Sequence, residues 1–362
     1  MAGIVDGTVR PLLKQYHIPG MAIGIASGKS SYVFNYGVAV VMSGKPVTNS
    51  TLFELGSITK TFTATLAAYA EVKGYLSLSD TTGKYLHVLG GSRFGDTTLL
   101  ELGTHTPGGL PLQVPDDVHS IDELMQYFRR WRPTCTPGAC RTYANPGIGT
   151  LGLITATSMD ASFDTLMKQR LLPALGMRNT YIHVPAARMA DYAEGYVRDD
   201  SPVRMTPGVL DSETYGVRST AADMVHYLQA NMGLVALDRD LERAITATHT
   251  GYFQAGVMTQ DLIWEQYPYP ADLHALLAGN SYTMIFRATP VARISPPERP
   301  RQDVWINKTG STNGFGAYVA FIPAQRLGIV ILANRNYPIG ARVTAAYRIL
   351  TALAHIQQSS SE

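Results

Sequence analysis

Cysteine, charge and long apolar runs are all scarce in this chain, and each scarcity removes a class of function. Only two of the 362 residues are cysteines, Cys135 and Cys140, and the nine histidines are scattered without paired ligand spacing. A structural zinc site is therefore not expected, and no metal is assigned. Charged residues make up 16% of the chain, the formal net charge is +2, and no Lys/Arg block occurs. Nucleic-acid binding accordingly has no electrostatic footprint. No apolar run approaches the length needed to cross a bilayer, so no membrane association is expected. Met1-Ala2-Gly3 leads directly into domain-like sequence, without a basic-then-apolar leader. That pattern fits a cytosolic protein or a mature form carrying an added start methionine. Against these absences, 45% apolar content over 362 residues is enough for a large core and two packed units.

The informative stretch is Phe53-Glu54-Leu55-Gly56-Ser57-Ile58-Thr59-Lys60. From Thr61 to Val72 apolar residues fall on nearly every face, which predicts a helix inside the core rather than on its rim. Gly56 permits a tight entry, and Ser57 stands where a helix N-cap would stand. Lys60 fits that reading badly. The third position after such a cap favours Glu or Gln, and a cation is unfavourable near the positive end of a helix dipole. Ser57 and Lys60 are one turn apart on one face, so the amine can reach the hydroxyl. Ser57 is thus a candidate nucleophile.

Along the rest of the chain, Val9 to Tyr16 reads as a helix, and Met21 to Ala26 and Ser31 to Val41 as strands around a Ser-Gly-Lys-Ser turn. Ser120-Ile121-Asp122-Glu123 opens a helix with a capping box, Asn145-Pro146 starts another, and Thr220 to Met232 is amphipathic. Strands return at Val304 to Asn307, Ala317 to Ile322 and Gly328 to Ala333, followed by a helix from Arg342 to about His355. The polar tail Gln357 to Glu362 is expected to fray. The implied fold is α/β of the α+β kind: an antiparallel sheet flanked by helices, built from residues 1–74 and 283–362. A mainly helical domain, residues 75–282, is inserted, with the site in the cleft between. Pro137-Gly138 would turn the chain so that Cys135 and Cys140 could pair in an oxidising compartment; two free thiols are as well supported.

Two further triplets join Ser57-x-x-Lys60: Tyr143-Ala144-Asn145 and Lys308-Thr309-Gly310. In this order they match the S-x-x-K, S-D-N and K-T-G signature of penicillin-recognising enzymes, with tyrosine replacing the middle serine. With Gly108 to Asp116, Tyr215-Gly216-Val217, Asn307 to Gly316 and Leu332 to Pro338, the sequence resembles the class C (AmpC-type) serine β-lactamases over nearly its whole length. The resemblance implies a β-lactamase/transpeptidase-like fold and a periplasmic enzyme that needs no cofactor; a monomer is expected. Its substrates would be cephalosporins and penicillins, hydrolysed through an acyl-enzyme on Ser57.

A serine hydroxyl needs a base, and no histidine lies in these motifs. Tyr143 could act as a phenolate favoured by Lys60 and Lys308, or Lys60 could act as a neutral amine; the sequence leaves both open. By resemblance, the backbone N–H groups of Ser57 and Ser311 form the oxyanion hole. Gln113 and Asn145 would hold the substrate's side-chain amide, and Tyr215 would form a pocket wall. Lys308 and Thr309, with Asn336 and Arg342 nearby, would receive its carboxylate, and Gly310 would allow close approach. Asn145 could instead cap the helix at Pro146. Departures from the family are Ile339, where an asparagine is usual, the cysteine pair, and His105-Thr106-Pro107 in place of an aromatic-centred segment. The alternatives are a D-alanyl-D-alanine peptidase or serine esterase on the same fold, and a penicillin-binding sensor that stays acylated.

Overall fold

The computed structural model describes residues 1–359. Its frame is one sheet of eleven strands. Across the sheet the order is Lys45–Pro46, Ser30–Val40, Gly20–Ser27, Leu327–Ala333, Gly316–Ile322, Val304–Ser311, Glu265–Pro268, Met258–Gln260, Gly251–Ala255, Thr289–Glu298 and Cys140–Arg141. Neighbouring strands run antiparallel, with Ile23 opposite Ile331 and Lys308 opposite Val319. The strands at Gly316–Ile322 and Leu327–Ala333 are buried at every position because helices cover both faces. Such strands read as unbroken apolar runs rather than alternating ones.

On one face, the helices Ala2–Gln15 and Ile339–Ser359 pack Val5, Val9, Val343, Ile349 and Leu350 against Ile23, Ile329 and Ile331. On the other, the helix Ala221–Asn231 brings Met224, Val225 and Leu228 onto Val319, Val330 and Leu332. The helix Thr59–Val72 belongs to two cores at once. Phe62 and Leu66 join the sheet-side cluster, while Ala64, Ala67 and Ala68 pack against Leu99, Leu102, Phe128, Ile148 and Leu151 of the helical half. A helix between two cores must be apolar all round, which is the pattern its sequence carries. Its first turn therefore lies at the seam.

Two expectations need correction. The strands Gly251–Ala255, Met258–Gln260 and Glu265–Pro268 fall inside the span 75–282, expected to be a mainly helical inserted domain, yet they continue the main sheet through Glu265 opposite Asn307. The last helix begins at Ile339 rather than Arg342 and runs to Ser359, so Gln357 to Ser359 of the polar tail are helical. The remaining tail residues, 360–362, lie outside the described residues. Among the described residues no helix is long and apolar enough to cross a membrane.

Candidate active site

The nucleophile candidate sits in a short 3-10 turn, Gly56–Ile58, pressed onto the end of the strand Val304–Ser311. Two glycines make the approach possible. A Cβ on Gly56 (φ 53°) would meet Ser311 N at 2.5 Å, and one on Gly310 would meet the Leu55 carbonyl oxygen at 1.9 Å. A side chain at either position would push the turn off the strand. Ser57 does not cap the helix: the cap position is Ile58, without a side-chain bond. Instead Ser57 Oγ accepts a hydrogen bond from Lys60 Nζ at 2.8 Å.

Lys60 is fully buried, and its ammonium also donates to the Thr214 carbonyl at 2.8 Å. Tyr143 lies between cations: Lys308 Nζ is 4.9 Å, Lys60 Nζ 5.3 Å and Arg141 Cζ 5.6 Å from its ring centroid. Burial pushes the Lys60 amine down, Tyr143 opposes this, and Lys308 adds to it, giving about 8. Burial alone would raise the Tyr143 phenol, but Lys308 and Lys60 outweigh it and bring it down to about 8. The Ser57 hydroxyl adds a smaller pull without a formed hydrogen bond, since Tyr143 Oη has no partner of hydrogen-bond geometry among the described residues. Lys308 Nζ in turn stands 4.0 Å from Glu265 Oε1.

Glu265 is the centre of a buried network that sequence reasoning missed. It pairs with Arg141 at 3.1 Å and accepts from Asn307 Nδ2 at 3.2 Å. Arg141 also donates to Gln260 Oε1 at 2.6 Å and to the Met284 carbonyl at 2.8 Å. With the paired charges also hydrogen-bonded, their burial is compensated. No motif signalled this network; its side chains come from four separate strands and the Met284 carbonyl from the helix Tyr282–Phe286.

Above this floor opens a cleft of about 580 Å³ lined by Ser57, Gln113, Tyr143, Asn145, Tyr215, Thr309, Gly310, Ser311 and Asn336. Lys60 and Lys308 lie buried beneath it. Asn145 is not the helix cap, which is Ala144; its Nδ2 donates to Gln113 Oε1 at 2.6 Å, so two residues far apart in sequence present one amide-rich edge. Arg342 is a correction to the expected carboxylate contact. It does not line the cleft; its guanidinium donates to the Gly310 carbonyl (2.7 Å), Ser311 Oγ (2.9 Å) and Asn336 Oδ1 (2.6 Å) from behind. It braces the residues that face the cleft. The mouth adds Tyr282, Ile285, Phe286 and Ile339, of which only Ile339 was singled out in the sequence. Cys135 and Cys140 form a disulfide, and their loop is bonded to the Gln113-bearing loop through Thr134 N to Gly108 O and Gly138 N to Thr106 O.

Comparison with known proteins places the chain in a family. The Beta-lactamase family matches residues 5–354. A curated beta-lactamase of Pseudomonas fluorescens is 48% identical over 97% of this chain and 98% of its own length. A solved D-alanine carboxypeptidase AmpC from Burkholderia cenocepacia is 57% identical, with a TM-score of 0.93 over 97% of this chain and 98% of that one. A class C beta-lactamase solved with cefoxitin is 47% identical, with a TM-score of 0.95 over 97% and 98%. This chain belongs to the beta-lactamase family and, within it, to the class C serine enzymes.

Proposed function

We propose that Ser57 carries the hydrolysis of the β-lactam amide, with Lys60 and Tyr143 sharing the proton work. β-Lactam hydrolysis is the activity of the class; the roles of individual residues are our reading. The observation behind it is the 2.8 Å hydrogen bond between Lys60 and Ser57 Oγ at the floor of the cleft, beside a phenol flanked by two ammonium groups. Ser57 Oγ attacks the lactam carbonyl while its proton passes to the Lys60–Tyr143 pair. The C–N bond then breaks, and the pair returns the proton to the departing nitrogen. In the second half-reaction the pair takes a proton from water, water attacks the ester carbonyl, and Ser57 leaves with its proton restored. Both groups fall to about 8, so they are read as one coupled acid–base unit rather than as separate base and spectator.

The backbone N–H groups of Ser57 and Ser311 are assigned to the oxyanion, supported by the close contact that Gly56 and Gly310 allow. Gln113 and Asn145 are assigned to the substrate's side-chain amide, Thr309 and Lys308 to its carboxylate, and Tyr215 to the cleft wall. A periplasmic location, on family likeness, completes the proposal, with a monomeric state as the expectation.

A second reading is D-alanyl-D-alanine carboxypeptidase activity at the same site, favoured by the name of the 57% identical relative. Turnover of nitrocefin and release of D-alanine from a D-alanyl-D-alanine peptide, measured on one preparation, separate the two. Turnover of nitrocefin with a transient acyl adduct is expected. Peptide turnover with a stable, unhydrolysed β-lactam adduct would overturn the primary reading.

A further inference from the structure

One residue grips the backbone on both sides of Tyr143. The carbonyl of His105 accepts from the Thr142 N–H at 2.9 Å, and its ring Nδ1 accepts from the Ala144 N–H at 3.3 Å. Its imidazole also lies against the Tyr143 ring, with centroids 4.5 Å apart at 43°. His105 is 1% exposed and holds a left-handed backbone, φ 61°. Such a conformation is uncommon outside glycine and persists where surrounding structure enforces it. Here the enforcing contacts are those two hydrogen bonds and the following Thr106 N–H, which donates to the Glu101 carbonyl at 2.9 Å.

The donor at Ala144 is an N–H, so Nδ1 carries no proton and the ring proton sits on Nε2, a buried atom without a hydrogen-bond partner among the described residues. Protonating the ring would turn Nδ1 into a donor facing a donor. It would also add a cation to a site that already holds Arg141, Lys60 and Lys308, with Glu265 the nearby carboxylate. Burial first, and then those three cations, push the imidazole well below its usual range, in agreement with the geometry.

We propose that His105 is a positioning residue for the reaction, a neutral imidazole that clamps the peptide units flanking Tyr143 and so fixes the phenol between Lys60 and Lys308. The proposal rests on the reading of Tyr143 as part of the acid–base pair. Misplacing a reacting group by about 1 Å can cost about 100-fold in rate. His105→Phe keeps a ring but loses the acceptor for Ala144, whereas His105→Asn keeps an acceptor and tolerates a left-handed backbone.

The test compares kcat, KM and kcat–pH profiles of wild type, His105→Phe, His105→Asn and Tyr143→Phe with a cephalosporin. For His105→Phe, kcat is expected to fall about 10- to 100-fold with little change in KM. Its ascending pH limb should move upward as the phenol loses its place between the ammonium groups, and His105→Asn should restore most of the rate. Wild-type kcat and an unshifted profile in His105→Phe, alongside a crippled Tyr143→Phe, would overturn the clamp and leave the Tyr143 reading standing. Wild-type rates in Tyr143→Phe would overturn both. On wild-type protein, independent of any variant's folding, the ¹⁵N shifts of His105 should report an unprotonated Nδ1 and a protonated Nε2 through the active pH range. A protonated Nδ1 would refute the proposal.

Discussion

The floor and the mouth of the cleft are built on opposite principles. The floor concentrates charge out of water: Lys60, Lys308, Arg141 and Glu265 are all nearly inaccessible, and each is tied to a named partner. The mouth exposes apolar surface. Tyr282 and Phe286 are 59% and 66% exposed, their stacked rings 6.1 Å apart, with Ile285 and Ile339 beside them. In the buried floor, desolvation brings the Lys60 amine down, and the weakly screened cations bring the Tyr143 phenol down, so that both stand at about 8. At the mouth, exposed rings contribute contact area to whatever substrate is present. On the proposed roles, the fixed buried charges would set the chemistry and the exposed rings at the mouth would meet the substrate.

The contrast can be broken first at the floor. Tyr143→Phe removes the phenol and keeps the ring, and kcat should fall about 10²- to 10⁴-fold with the thermal midpoint nearly unchanged. Steady-state kinetics with a cephalosporin checks this, and near wild-type turnover would take the phenol out of the mechanism. Glu265→Ala leaves Arg141 buried without its carboxylate, which should destabilise the fold by roughly 3–5 kcal/mol in chemical denaturation. A loss under about 1 kcal/mol would mean that the network tolerates an uncompensated cation.

The pH dependence sharpens the same point. Either member of the pair must lose a proton to act as base, so activity follows the deprotonated form. With both groups near 8, kcat/KM should rise up to about pH 8 and fall about tenfold per unit below it. A flat profile from pH 5 to 9 would contradict the buried-cation account. The smallest effect belongs to the mouth. Phe286→Ala should change KM for substrates with bulky side groups by less than about tenfold while leaving kcat intact, because it removes contact made equally in ground and transition states. A large loss in kcat would mean that the mouth takes part in the chemistry.

Much of the candidate site's arrangement was legible because its motifs are local. Ser57-x-x-Lys60 puts two groups on one helical face through backbone geometry alone, and Lys308-Thr309-Gly310 marks a strand end against which Gly56 can close. The sheet core was legible for the same reason, since doubly covered strands are continuous apolar runs. What stayed hidden depends on distant partners. The strands of residues 251–268 carry buried Gln260 and Glu265, polar residues that break the apolar alternation and find partners distant in sequence in Arg141 and Asn307. Arg342 read as a carboxylate ligand because its sequence position is right. Only the fold shows its guanidinium turned behind the strand to Ser311 and Asn336. His105 looked like a departure from pattern, and its grip on the amides beside Tyr143 follows from a loop packing that spacing does not encode.

The central claim, that Ser57 is the nucleophile prepared by the groups beneath it, is tested most directly by intact-mass spectrometry with peptide mapping after rapid mixing with a slowly hydrolysed β-lactam. The account predicts one adduct, of the mass of the opened lactam, on the peptide containing Ser57, and none on Ser57→Ala. A full adduct on the Ser57→Ala variant, or an adduct mapped to any other residue of the wild type, would contradict it.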